Sequence, residues 1–341
     1  MEEERRMILR MLEEGKISAN QAAELLSALE EGRLDLSEPE RKKSDDIGDR
    51  VETVINDTAE RIPVLVEKFL ENFSIGGLFG LGQYHFEEKF QGEILSDVFE
   101  VDLNAFNGRI ELETWDKPHY EIVVKKTVKA GDEKTAKVQA ANMVERRVDG
   151  EKLKVSLARN DAAGGSITGY LPANKLYIIN LNTSNGRIEV RGVNAKEVSL
   201  NTSTGRVVFS GRAEKGTLST SNGRVVFKGI RNVKARTSNG RIVAMTPLEG
   251  LSDWDLKTSN GSINVQSDSE TGYDIAAKTS LGKIELDLRG LQYEKDEMHK
   301  PGRAEVIAKT EDYDSRARKV CIRAITTNGS IRFNSSVSEE D

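Results

Sequence analysis

From Phe86 to Phe333 the chain alternates apolar and polar residues in short runs, and the runs keep a fixed relation to a recurring glycine. The phrase Thr-Ser-Asn-Gly-Arg stands whole at 183–187, 220–224 and 237–241, with degraded copies at 202–206, 258–262, 279–283 and 326–330 and an outlier at Phe106–Arg109. Two and four residues after each glycine come Ile110/Leu112, Ile188/Val190, Val207/Phe209, Val225/Phe227, Ile242/Ala244, Ile263/Val265, Ile284/Leu286 and Ile331/Phe333. Five residues before it stand Leu103, Leu181, Leu200, Leu218, Ala235, Leu256, Ala277 and Ala324. Period-two alternation marks strands with one buried face, and Asn-Gly between two such runs supplies a sharp change of direction. Each repeat therefore reads strand, corner, strand.

A single unit of this kind cannot bury its apolar face, so neighbours must stack. If the two strands flanking Asn-Gly pair with each other, the result is a hairpin array. If each pairs with its equivalent in the next repeat, the result is a parallel β-helix, or β-solenoid, of roughly 17–21-residue coils. The solenoid is preferred because it also explains the recurrent Thr and Ser before the corner: identical polar side chains would form ladders. The column of corner residues is then Asn107, Gly108, Asn185, Gly186, Gly205, Asn222, Gly223, Asn239, Gly240, Asn260, Gly261, Gly282, Asn328 and Gly329.

The N-terminal part follows a different period. Residues 3–32 read as a helical hairpin: Met7, Ile8, Met11 and Leu12 share one helix face, Gly15 interrupts, and Ser18 with Gln21 caps a second helix. A charged linker spans 33–46. Residues 47–73 predict an amphipathic helix with a coiled-coil-like seam (Val51, Ile55, Thr58, Ile62, Leu65, Phe69) that Pro63 interrupts. The 47–85 segment ends in a glycine-rich apolar stretch, for which an interaction surface and a hinge are both open readings. The β-repeat region covers 86–334. A helical insertion is expected near 129–150, over 131–146, and an exposed charged loop at 291–303; an acidic tail occupies 335–341.

Charge sharpens the picture. The 341 residues carry a formal net charge of −6, and only 6% are aromatic, so an aliphatic, thin core is expected. Yet residue after residue following the corner glycine is basic: Arg109, Arg187, Arg206, Arg224, Arg241 and Lys283. Stacked coils would bring these about 4.8 Å apart, an arrangement that favours an anionic partner. Candidates are an anionic lipid, an envelope polymer or the chain's own acidic arm; a solvated edge that keeps the solenoid soluble is the plainer reading. Nucleic acid is not expected, because aromatic residues do not interleave with the basic ones.

Catalytic chemistry finds little support. His85, His119 and His299 lie far apart, without the close ligand spacing of a metal pair. No phosphate-binding or dinucleotide-binding glycine motif is present, and Cys321, the sole cysteine, reads as an ordinary strand residue. The acidic strand residues Glu111, Glu189 and Glu285 form no evident cluster. No catalytic residue, cofactor or metal is expected. The acidic start Met1-Glu2-Glu3-Glu4 does not resemble a secretory signal and no long apolar run follows, which predicts a cytoplasmic protein, peripheral to the membrane at most.

The repeats, the lead-in Leu171-Pro172 with Leu176 to Asn185, and the N-terminal segment with Glu14-Gly15-Lys16-Ile17-Ser18 and Ala22-Ala23-Glu24-Leu25-Leu26 resemble LiaX/YvlB-type bacterial putative-adhesin proteins. The resemblance implies a right-handed β-helix with a separable helical module, no catalytic residues, and a role as an interaction scaffold in the cell-envelope stress response. The alternatives are a self-assembling structural β-helix and, lower, a polysaccharide-active enzyme. Self-association through 3–32 and 47–73 is a further expectation.

Overall fold

A computed structural model describes residues 82–158, 163–245, 247–298 and 303–334. The expected N-terminal helices, linker, most of the glycine-rich stretch and acidic tail lie outside the described residues. Contacts divide the chain into two units, Met1–Tyr84 with Val128–Gln139, and His85–Thr127 with Ala140–Asp341. The described part of the first holds the ends of two strands and most of a helix, α1 (Glu133–Ala141). Asp132 caps that helix, accepting from the Thr135 amide at 2.8 Å and hydroxyl at 2.7 Å.

The second unit is a mainly β, solenoid-like stack. Its first strands are β1 (Gly82–Glu93), β2 (Val98–Asn107), β3 (Ile110–Trp115) and β4 (His119–Ala130). After α1 follow β5 (Val144–Asp149), β6 (Lys152–Leu157), β7 (Ala163–Pro172) and β8 (Leu176–Asn185). Three long strands make the regular centre: β9 (Ile188–Thr204), β10 (Val207–Asn222) and β11 (Val225–Asn239). The remainder comprises β12 (Ile242–Met245), β13 (Gly250–Asn260), β14 (Ile263–Gln266), β15 (Thr271–Leu281), β16 (Ile284–Leu286), β17 (Leu291–Asp296), β18 (Ala304–Thr310), β19 (Arg318–Asn328) and β20 (Ile331–Asn334).

The strands on either side of a corner pair with their equivalents in neighbouring coils, in parallel. Thus Val207 of β10 faces Ile188 of β9 and Val225 of β11, while Leu218 faces Leu200 and Ala235. Each long strand bends partway, with a register shift between Ser210 and Arg212 in β10, and so contributes one half to each side of the stack. Of the inward positions read from the alternation, all are buried except Leu286, which is half-buried in the short β16. The core is largely aliphatic, as expected, but its bulkiest members are aromatic. The largest fully buried side chains include Trp254, Tyr120, Tyr177, Tyr273, Phe99, Phe209, Phe227 and Phe333, so the few aromatic residues concentrate inside. Trp254 meets Phe227 edge to face at 5.2 Å and donates its indole N–H to Ile230 O at 3.0 Å.

Coil order departs from chain order at the C-terminal end. The coil β19–β20 lies between β13–β14 and β15–β16: Trp254 pairs with Ile322, and Ile322 pairs with Ile275. Likewise Ile263 pairs with Ile331, and Ile331 with Ile284. The last repeat in sequence is therefore an interior coil.

Two insertions differ from their sequence reading. The helix expected over 131–146 ends at Ala141, and β5 follows, antiparallel to β6. The segment expected as a loop at 291–303 begins with β17, which forms an antiparallel hairpin with β18, itself antiparallel to β15. Antiparallel strands thus close the β2-to-β15 side of the stack at both ends, as protection of open sheet edges requires.

Candidate functional site

The corner is built by three interlocking columns. The glycine amide of each coil donates to the backbone carbonyl before the glycine in the next: Gly108 to Asn185, Gly186 to Thr204, Gly205 to Asn222, Gly223 to Asn239, Gly240 to Asn260, Gly261 to Asn328 and Gly329 to Leu281. A Cβ on any glycine from Gly186 onward would lie 1.8–2.1 Å from the carbonyl oxygen of the preceding glycine in the stack. Backbone proximity, more than a left-handed conformation, therefore demands glycine here. Within the column only Gly205 and Gly329 have φ in the left-handed half, 144° and 156°. The sharp change of direction read from Asn-Gly is thus made, at most coils, without a left-handed glycine.

Threonine supplies the second column. Thr183, Thr202, Thr220, Thr237, Thr258, Thr326 and Thr279 each donate to the glycine carbonyl of the adjacent coil, at 2.9–3.3 Å. All seven are buried. Asparagine supplies the third: Asn185 donates to Asn107 at 2.8 Å, and Asn328, Asn260, Asn239 and Asn222 form a chain of side-chain amide bonds of 2.7–2.9 Å. Thr204 and Leu281 occupy the asparagine position in two coils, so the ladder breaks at Thr204 and stops at Leu281.

On this frame the basic residues project outward, one position past the glycine. Backbone bonds stack Arg109, Arg187, Arg206, Arg224 and Arg241 on consecutive coils: the amides of Ile110, Ile188, Val207 and Val225 donate to the carbonyls of Arg187, Arg206, Arg224 and Arg241. Ser262 and Ser330 take the next two places, and only then comes Lys283. The out-of-sequence coil thus separates Lys283 from the arginines by two neutral coils.

The five arginines are not electrostatically equivalent. Two residues further along the same outward face stand Glu111, Glu189, Val208, Val226 and Val243 in stacking order. Arg109 pairs with Glu111 at 3.2 Å and Arg187 with Glu189 at 2.6 Å. Glu189 is buried and also bridges Arg191. At Arg206, Arg224 and Arg241 that outward position holds valine. Burial first, and then the guanidiniums of Arg206 and Arg241, hold Arg224 below the usual arginine pKa. Three adjacent coils therefore gather Arg206, Arg224 and Arg241 beside two half-buried valines, Val208 and Val226, whereas Val243 is itself buried. Repeat spacing alone did not reveal this division; the valines at Gly plus three were the available signal.

The other candidate groups are scattered. Glu111 and Glu189 are neighbours across β3 and β9, whereas Glu285 bonds Arg332 at 2.8 Å on the far coils. His85 lies against Thr127 at 3.1 Å, and His119 packs edge-on against Trp115 at 5.1 Å; His299 lies outside the described residues. Cys321 sits on the outer face in register with Asp253 and Asp274. Desolvation against the sheet and these two carboxylates raise its thiol pKa, which opposes thiolate formation. Among the described residues no group of His, Cys, Asp and Glu is placed to hold a metal ion, and no helix is long and apolar enough to cross a membrane.

A solved structure of a putative cell adhesion protein from Clostridium sporogenes is 13% identical, covers 74% of this chain and 99% of its own, with a TM-score of 0.37. A putative adhesin from Bacteroides fragilis is 11% identical over 73% of this chain and 97% of its own, also with a TM-score of 0.37. A putative lipid binding protein from Parabacteroides distasonis is 13% identical over 73% and 95%, with a TM-score of 0.35. No curated protein matches the chain. A SHOCT-like domain model matches residues 3–34, outside the described residues. The Toastrack DUF4097 family model matches residues 100–315, more than half of the chain, from within β2 to the turn before β19. The chain belongs to the Toastrack DUF4097 family.

Proposed function

We propose that this chain is a non-enzymatic scaffold of the bacterial cell-envelope stress response, whose solenoid docks on anionic lipid through the face carrying Arg206, Arg224 and Arg241. The observation that carries the reading is the stacking of these three arginines on consecutive coils beside the half-buried Val208 and Val226. Positive charge bordered by apolar side chains suits the headgroup boundary of a membrane, where each basic residue contributes about 1 kcal/mol. The N-terminal segments, in this reading, localise or regulate the platform. Against catalysis stands the pairing of the carboxylates: Glu111 with Arg109, Glu189 with Arg187 and Arg191, Glu285 with Arg332. Against end-to-end filaments stand the antiparallel strands β5 and β17–β18.

The test is co-sedimentation with phosphatidylcholine vesicles, with and without phosphatidylglycerol, for the intact chain and for Arg206→Ser/Arg224→Ser/Arg241→Ser. Removing three such contacts, about 3 kcal/mol, should weaken anionic-vesicle binding roughly 100-fold. Neutral vesicles should bind neither protein, and added salt should weaken the native interaction. Equal binding to both vesicle types, or an unaltered triple variant, overturns the lipid reading. Competition by a soluble phosphate-backbone polymer at lower concentration than the lipid would assign the face to an envelope polymer instead.

A further inference from the structure

At the far end of the stack, away from the arginine face in sequence, three connections border a half-open cleft of about 790 Å³. They are the β14–β15 turn around Asp268, the β16–β17 turn around Arg289, and residues 310–316, from the last residue of β18 onward. Hydrogen bonds lock the walls together. The Glu311 amide donates to Gly290 O at 2.8 Å, the Asp268 amide to the Tyr273 hydroxyl at 3.0 Å, and the Tyr273 amide to Thr310 Oγ1 at 3.0 Å. The volume falls within the range that holds small ligands.

The lining selects a ligand class. Ser267, Thr310 and Tyr273 bring buried hydroxyls to the cavity, and Ser267 Oγ is buried without a hydrogen-bond partner. Leaving such a group unsatisfied costs about 1–3 kcal/mol, which a hydroxylated ligand recovers once the Ser267 side chain, now sealed from solvent, turns into the cavity. Burial raises the pKa of the Tyr273 hydroxyl, so it stays a donor. Of the charged groups, Asp268, Asp287, Glu311 and Asp312 outnumber Arg289 and Arg316, and Arg316 is engaged by Asp312. Leu288 is the one aliphatic side chain among the described lining residues. Lipid chains are therefore poor occupants, and so are anions.

We propose that this cavity is a saccharide-binding site, preferring neutral or amino sugars to uronic acids. The site does not depend on the arginine face, so each can fail without the other.

Saturation-transfer NMR on the full chain would use three probes: chitobiose, its de-N-acetylated counterpart and a galacturonic acid disaccharide. The expected result is saturable binding of chitobiose or its de-N-acetylated form, with the uronate disaccharide roughly tenfold weaker. Ser267→Val should weaken binding roughly tenfold by removing the unpartnered hydroxyl. Glu311→Lys, at the exposed rim, should shift preference towards the uronate, and it decides the matter if Ser267→Val fails to fold. The triple arginine variant should bind saccharide like the native chain. Absence of saturable binding by all three probes overturns the proposal, as does an unchanged preference order in Glu311→Lys.

Discussion

Replacing Gly223 by alanine tests the construction of the corner. The new Cβ would lie 1.8 Å from Gly205 O and 2.7 Å from Gly205 C, both backbone atoms of the neighbouring coil. A Cβ has no rotamer to choose, so the coils must separate locally. Three hydrogen bonds cross this junction: Gly205 N to Asn222 O at 3.0 Å, Val207 N to Arg224 O at 2.9 Å, and Thr220 Oγ1 to Gly205 O at 3.2 Å. At about 1 kcal/mol each they contribute about 3 kcal/mol. Overpacking strain adds about 1–3 kcal/mol, for an expected loss of roughly 4–6 kcal/mol. Gly150→Ala is the control, because no atom lies within 4 Å of its added Cβ. Urea unfolding gives the midpoints, and amide exchange at Gly205 and Val207 reports the junction itself, which matters where a repeat array opens in parts. If Gly223→Ala unfolds within about 0.5 kcal/mol of the control, a small surface-type effect, close coil approach is not what selects glycine.

Two further outcomes follow from the same frame. Thr237→Val keeps the side chain's shape but removes its bond to Gly223 O, and should cost about 1–2 kcal/mol by urea unfolding, whereas Thr237→Ser should retain most of the bond's contribution; equal losses would show that packing governs the threonine column. Tyr177 is fully buried, donates to Pro172 O at 2.6 Å, and has a hydroxyl pKa raised by burial above its ordinary value of 10.0. Its folded-state pKa exceeds the unfolded one, so its contribution is complete below about pH 10 and lost as pH rises beyond, by up to about 1.4 kcal/mol per pH unit. Tyr177→Phe should flatten that alkaline decline; an unchanged slope would assign it to other groups.

The alternation made the inward residues readable because a two-sided stack buries every second position, and Ile242 or Phe333 fits that pattern without reference to any neighbour. Pairing partners were a different matter. Ile331 and Phe333 carry the same kind of side chains as Ile263 and Val265, so apolar patterning alone permits any coil beside any other. The β17–β18 hairpin, hidden in Leu291-Gln292-Tyr293-Glu294-Lys295-Asp296 by its mostly exposed and charged side chains, supplies the excursion that lets β19–β20 take an interior place. The basic column was legible as a list of residues, and its electrical division was legible as well, in the glutamates and valines two positions on, but only when those positions are read together with the arginines.

An interior place for the last repeat bears on how the chain is made. Vectorial synthesis delivers β13–β14 and β15–β16 before β19–β20 exists, yet each of the first two pairs is bonded to the third, which lies between them. A nascent chain can add coils one by one as far as Gln266, the end of β14, as nearest-neighbour stacks do. Beyond that point it holds a strand pair with no seat until Arg318 to Asn334 has left the ribosome. Emergence of Arg318 to Asn334, rather than of each repeat in turn, completes this part of the stack, and a chain halted before Arg318 would display two open sheet edges at once.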